Sequence, residues 1–187
     1  MNGILLVDKP AGMTSHDVVD KVRKAAKMRK IGHTGTLDPA ATGLLILCLG
    51  TATRLSEHFT ALGKVYEGTM RLGLSTTSYD LQGDVVAESD VPDLDRDAIQ
   101  AQCDAFVGAI EQVPPMVSAV RIGGERLYKK AQKGEIVDRP ARPVVVDKFD
   151  VLSYDAPDAI VRVSCSSGTY VRSLCHDVGA ALECGAV

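Results

Sequence analysis

Three stretches of this chain carry residue types and spacings that could do chemistry. The first is Gly32-His33-Thr34-Gly35-Thr36-Leu37-Asp38-Pro39-Ala40-Ala41-Thr42-Gly43. An Asp before a Pro starts turns well, and turn formation alone would account for Asp38. The surroundings suggest more. Three glycines, three threonines and a histidine within twelve residues make a loop whose backbone donors can come close to a ligand. A carboxylate placed there can serve as a nucleophile or as a base. His33 could be a polar wedge, a phosphate contact or an ordinary loop histidine. The second stretch is Gly168-Thr169-Tyr170-Val171-Arg172. An arginine at the start of a helix gains nothing from the dipole. Arg172 is therefore either a surface residue or the partner that keeps a buried carboxylate ionised and aimed. The third is Lys64-Val65-Tyr66. Aromatics make up only 4% of the chain and tryptophan is absent, so Tyr66 and Tyr170 stand out. Tyr66 is either a strand core residue or a platform for an unstacked base.

These residues need elements to position them. Ile4 to Val7 predicts a short strand running into a turn at Asp8 to Gly12. Ser15 is the expected N-cap of a helix whose apolar stripe is Val18, Val19, Val22, Ala25 and Ala26. The loop at 32–43 leads into Leu44 to Leu49, a continuous apolar strand expected to be buried on both faces. Lys64 to Leu72 alternates as a strand with Tyr66, Gly68, Met70 and Leu72 on one side. Val85 to Ala87 predicts a short strand and Asp95 to Val107 a helix. Gly123 to Arg142 is polar and basic, and is expected to be a partly helical, mobile excursion. Val144 to Leu152 and Ile160 to Cys165 predict strands. Ser166 to Thr169 turns into a last helix striped by Val171, Leu174, Val178 and Leu182. The fold class is mixed α/β (α+β), without regular strand–helix alternation.

Composition bounds the possibilities. The chain has 187 residues, of which 45% are hydrophobic, an ordinary globular share. Its longest apolar run is too short to cross a bilayer, and no signal peptide pattern opens it, so a cytoplasmic protein with no membrane partner is expected. Five scattered cysteines (Cys48, Cys103, Cys165, Cys175, Cys184) contain no Cys-x-x-Cys pair. They predict reduced, buried thiols with neither zinc nor disulfides. The four histidines lack ligand spacing, so no metal and no cofactor is expected. The net charge of −3 hides a strong asymmetry. Positions 21 to 30 hold six basic residues and no acid, positions 121 to 148 hold eight bases against four acids, and positions 80 to 111 hold nine acids and one base. Charge alone fits solvated surfaces; local potential could equally steer a polyanion.

Taken together, these motifs resemble the TruB family of pseudouridine synthases. Gly3 to Ser15 is similar to that family's first motif, Gly32 to Gly43 to its catalytic motif, and Lys64-Val65-Tyr66 to its tyrosine strand. Pro114 to Ala119 with Leu127-Tyr128 resembles the entry to its RNA-clamping insertion, and Gly168 to Leu174 its arginine motif. The resemblance implies a bent, mostly antiparallel sheet flanked by helices, with an RNA-clamping insertion at about 121–143. It implies a monomer that converts uridine-55 in the T stem-loop of tRNA to pseudouridine. It makes Asp38 the nucleophile, Tyr66 the stacking residue and Arg172 the ion-pair partner of Asp38. Tyr170 and His33 become substrate contacts, with His33 helping to displace the base, and Lys9 and Pro10 support the catalytic loop. In one place the chain departs from the pattern. Where the family has a Thr-Asp-Thr element, this chain reads Thr76-Thr77-Ser78-Tyr79-Asp80. The resemblance also implies a catalytic domain over 1–187 that is incomplete at its C-terminus and lacks the family's C-terminal RNA-binding domain. A non-catalytic tRNA-binding or RNA-folding protein and a guide-dependent synthase are the alternatives. The early start at the first motif favours the stand-alone type.

Overall fold

The computed structural model describes residues 1–118, 121–122, 124–127 and 137–187. The expected excursion at 123–142 falls partly outside them, and Tyr128, Lys129 and Lys130 lie outside altogether. The described chain forms two compact units, Met1–Leu62 and Gly63–Val187. Every strand pairing within them is antiparallel.

The first unit is a three-stranded sheet of order β1-β3-β2 with a helix on one face. Strand β1 (Gly3–Lys9) pairs along its whole length with β3 (Gly43–Leu49), and β2 (Ile31–His33) pairs on the other side of β3. Asp8 and Lys9 therefore belong to the strand, opposite Leu44 and Gly43, and not to the expected turn. Gly32 and His33 likewise lie in β2, so the loop proper begins at Thr34. Helix α1 (Ser15–Ala26) is capped by Thr14, not by Ser15. Thr14 and Asp17 satisfy each other's backbone N–H groups in a capping box, which frees the Ser15 hydroxyl for another use. The helix closes with Lys27 in the left-handed region, and Arg23 and Lys24 in its last turn suit the dipole. Val18 and Val19 pack on Leu45, Leu47 and Leu49. Burial of β3 on both faces holds only for its C-terminal half: Cys48 is fully buried, whereas Leu44 is 63% exposed. Period-two geometry puts Leu44 on the face that the helix does not cover.

The second unit is built on a four-stranded sheet of order β4-β11-β10-β7. Strand β4 (Lys64–Arg71) is followed by a small β5 (Leu74–Thr76) and β6 (Val85–Glu88) pair. Helix α2 (Ser56–Thr60) precedes β4 in the chain and belongs to the first unit. Helix α3 (Arg96–Asp104) starts at an Asp95 cap and ends three residues short of the expected Val107. After β7 (Gly108–Gln112) come the two-residue strands β8 (Arg121–Ile122) and β9 (Glu125–Arg126). Strand β10 (Arg142–Asp155) then turns back as β11 (Asp158–Cys165), and α4 (Val171–Ala181) ends the regular structure.

The long β10–β11 hairpin extends beyond both expected strands. Its buried residues switch parity: Val144 and Val146, then Phe149 and Val151. A register shift between Val146 and Lys148 explains the switch. One extra residue reverses which side chains face the core, so both halves of the strand still bury their apolar set. Val146, Phe149 and Val151 pack with Met70, Ala159, Val161, Val163 and Cys165 against α3 and α4, whose contributions are Ile99, Cys103, Leu174, Cys175 and Val178.

Candidate active site

In the first unit, Asp38 sits in the β2–β3 loop with both chain neighbours tied down. On one side, Leu37 N–H donates to the Ser15 hydroxyl at 2.9 Å, and that hydroxyl lies 3.3 Å from Leu37 O. Ser15 is only 2% exposed, so this anchor is held inside the fold. On the other side, Pro39 O accepts from Gly12 N–H at 2.8 Å and from Lys9 Nζ at 3.2 Å. Gly12 has φ 80°, a conformation that L side chains rarely adopt, and this is what lets its N–H face Pro39.

Lys9 is 0% exposed. Its ammonium group donates to Pro10 O at 3.0 Å and Met13 O at 2.7 Å as well as to Pro39 O. A buried ammonium with three carbonyl acceptors is solvated by the backbone. It fastens the end of β1, the turn after it and the Asp38 loop together. Pro10 takes part through its carbonyl. Asp38 itself is half-buried, and its carbonyl accepts from Ala41 N–H at 3.0 Å, closing the turn that Asp-Pro sequences favour. His33 is half-buried and pairs in register with Leu47. Thr34, which follows it, donates to Ile46 O and accepts from the Thr60 hydroxyl.

In the second unit, Tyr66 lies on β4 opposite Val163, partly buried against the core. Tyr170 is the N-cap residue of α4, but its side chain does not cap. Its backbone is held by Gln112, whose side chain accepts from Tyr170 N–H at 2.8 Å and donates to Tyr170 O at 3.1 Å. Gln112 is 3% exposed, so the start of α4 is bolted to β7 from within. Arg172 is oriented by the 76–84 segment. It lies 3.2 Å from the Asp80 carboxylate and donates to Ser78 O at 2.9 Å and to Val117 O at 3.1 Å.

Asp80 is itself locked. Its Oδ1 accepts from the Ser78 hydroxyl at 2.5 Å and from Gln82 N–H at 3.0 Å, and its backbone O accepts from the Thr76 hydroxyl at 2.6 Å. The acid kept at the departure from the family pattern is thus the one that holds Arg172.

Ser15, Asp80 and Gln112 are the positioning residues that sequence reasoning missed. Ser15 was legible only as a cap, Asp80 only as one acid among nine, and Gln112 not at all. Among the described residues, no group of three or more His, Cys, Asp or Glu could hold a metal ion, and no helix is long and apolar enough to cross a membrane.

The chain is similar to known proteins. The family model "TruB family pseudouridylate synthase (N terminal domain)" matches residues 23–171. The chain is 50% identical to tRNA pseudouridine synthase B of Corynebacterium efficiens over 188 residues, covering 98% of this chain and 63% of that protein. It is 48% identical to the protein of the same name from Pseudomonas aeruginosa, covering 100% of this chain and 61% of that one. The chain thus spans less than two thirds of the length of these relatives. Among solved structures it resembles a chain of a Cbf5-Nop10-Gar1 complex, with a TM-score of 0.74 and 34% identity over 98% of this chain and 45% of that one. By this match and these identities, the chain belongs to the TruB family of pseudouridylate synthases.

Proposed function

We propose that this chain isomerises uridine-55 to pseudouridine in the T loop of tRNA, with Asp38 as the attacking carboxylate. The observation that carries the reading is the double anchoring of the Asp38 turn: Leu37 by Ser15 and Pro39 by Gly12 and Lys9. A turn that only reverses the chain needs no buried ammonium group to fix it. A nucleophile does need a fixed position, because misplacement by about 1 Å can cost about 100-fold in rate. The names of the relatives, tRNA pseudouridine synthase B, support the choice of substrate.

The reaction exchanges the N1–C1′ bond for a C5–C1′ bond. The proton at C5 leaves and N1 gains one, so composition and oxidation state are unchanged and no cofactor enters the scheme. The uridine is flipped out of the RNA stack. The Asp38 carboxylate adds at C1′ or at C6, and uracil detaches, turns and is recaptured through C5. Water is kept out so that the free sugar position is not hydrolysed.

Tyr66 stacks on the uracil, and Tyr170 and His33 contact the substrate, with His33 entering the space the base leaves. Arg172, aimed by Asp80, pairs with Asp38; its five donors suffice for two carboxylates. Lys9 and Pro10 hold the loop. The insertion at about 121–143 clamps the RNA, and residues 1–187 act as one catalytic domain, as a monomer in the cytoplasm.

The test uses an unmodified tRNA transcript beside one with cytidine in place of uridine-55. Pseudouridine is detected by chemical tagging and primer-extension stops. A stop at position 55 in the first transcript alone is expected. Equal modification elsewhere in both would refute the assignment of the target.

A further inference from the structure

One contact of α4 lies outside the machinery assigned above. The Tyr79 and His176 rings are stacked with centroids 3.9 Å apart and planes 10° from parallel. Tyr79 has φ 62°, the left-handed region that a bulky side chain rarely occupies. Such backbone strain persists only where the surroundings hold it, and it concentrates at functional sites. Tyr79 is the residue immediately before Asp80.

His176 is one helical turn beyond Arg172, so both side chains leave the same face of α4. That face therefore takes hold of three consecutive residues: Ser78 and Asp80 through Arg172, and Tyr79 through His176. The His176 Nδ1 atom is buried and makes no hydrogen bond among the described residues. A ring held through Nδ1 would have that atom satisfied. Ring-on-ring contact is what this histidine supplies.

We infer that the Tyr79–His176 stack is a clasp that positions the Asp80–Arg172 pair for the isomerisation, with His176 a positioning residue and not a group that touches substrate. The inference rests on the functional reading above. The left-handed turn at Tyr79 directs the Asp80 carboxylate toward the helix, and the stack keeps that turn from relaxing. Without the stack, the 76–84 segment shifts, Asp80 no longer fixes the guanidinium, and Arg172 loses its aim. The ground-state grip on RNA is not touched.

The test is pseudouridine formation by the full chain on an unmodified tRNA transcript, well below the unfolding temperature of every variant. His176→Ala and Tyr79→Ala are each expected to lower kcat roughly three- to tenfold, the range that loss of one aromatic pair supports. KM is expected to stay unchanged, and the double variant to be no slower than either single one, because both remove the same contact. His176→Phe keeps a ring without the orphaned nitrogen and is expected to restore kcat. Hydrogen exchange over residues 76–84 is expected to quicken in His176→Ala and return to normal in His176→Phe. Unchanged kcat in His176→Ala, additive losses in the double variant, or no rescue by His176→Phe would overturn the clasp while leaving the functional reading intact. Failure of the wild-type chain to form pseudouridine would overturn that reading, and the clasp with it.

Discussion

Replacing Lys9 by Met separates the charge of this residue from its bulk. The side chain has similar length and the site is fully enclosed, so packing is nearly kept while the ammonium group is lost. Three donor contacts disappear, to Pro10 O, Met13 O and Pro39 O. Pro39 O retains the Gly12 N–H. The carbonyls of Pro10, an exposed residue, and of half-buried Met13 lose the donor described here. An acceptor left unsatisfied costs about 1–3 kcal/mol where water cannot reach it, so the expected loss is at most about 2–6 kcal/mol. That is a large part of the roughly 5–15 kcal/mol that holds a domain together. For a chain of this size it corresponds to a fall in Tm of roughly 5–20 °C. Thermal unfolding followed by circular dichroism reads it directly. Hydrogen exchange should also quicken over residues 36–41, where the Pro39 anchor is lost. A fall in Tm below about 2 °C, with normal exchange in that loop, would refute the view that Lys9 fastens the Asp38 turn.

Other consequences can be checked separately. Asp80→Asn leaves Arg172 its carbonyl partners but removes a charge-assisted contact of about 1.5–3 kcal/mol; kcat should fall about 10- to 150-fold with little change in RNA affinity, measured by filter binding beside turnover. The Asp177 carboxyl is pushed above its ordinary value of 3.8 by burial, with the neighbouring His176 opposing the shift. A carboxyl whose pKa is raised by folding favours the folded state while protonated and costs stability once ionised. Asp177→Asn should therefore raise Tm at pH 7, with the gain shrinking once pH falls below the raised folded-state value and absent below the ordinary value of 3.8. A pH-independent change would contradict this. All five cysteines are buried, and burial pushes the Cys103 and Cys175 thiols up to about 12. A thiol-reactive dye at pH 8 should label none of the five in the native chain and all five after unfolding.

How much of this was legible beforehand differs by kind of feature. The loop bearing Asp38 was plain, because Gly, Thr and Pro in that density exclude regular structure. The strands of Tyr66 and of Ile160 to Cys165 were plain too, because their apolar residues alternate. The β10 strand was legible only in part: its parity reverses at the Val146–Lys148 register shift, and a period-two pattern cannot be followed across an inserted residue. Ser15 looks like a cap in the sequence because Ser before an apolar stripe usually is one. Thr14, one residue earlier, meets the same rule and has Asp17 three residues on, which completes the capping box. Lys9 read as part of a turn, since a lysine is rarely fully buried. Its burial follows from the strand's alternation, which sends it to the core side with Val7, where carbonyls from two loops converge. Gln112 could not be read at all, and Asp80 only as an acid in the stretch that departs from the family pattern. Their partners lie 58 and 92 positions away, and nothing local marks either residue as a brace.

Asp38 is proposed as the carboxylate that attacks the flipped uridine. The most direct test of this role is a single-turnover assay of the full chain and of Asp38→Asn, with each enzyme in excess over an unmodified tRNA transcript and its binding measured in parallel. Both are expected to bind the transcript with similar affinity, the wild type to form pseudouridine at position 55, and Asp38→Asn to form none. Product formation by Asp38→Asn at a rate near that of the wild type would contradict that role.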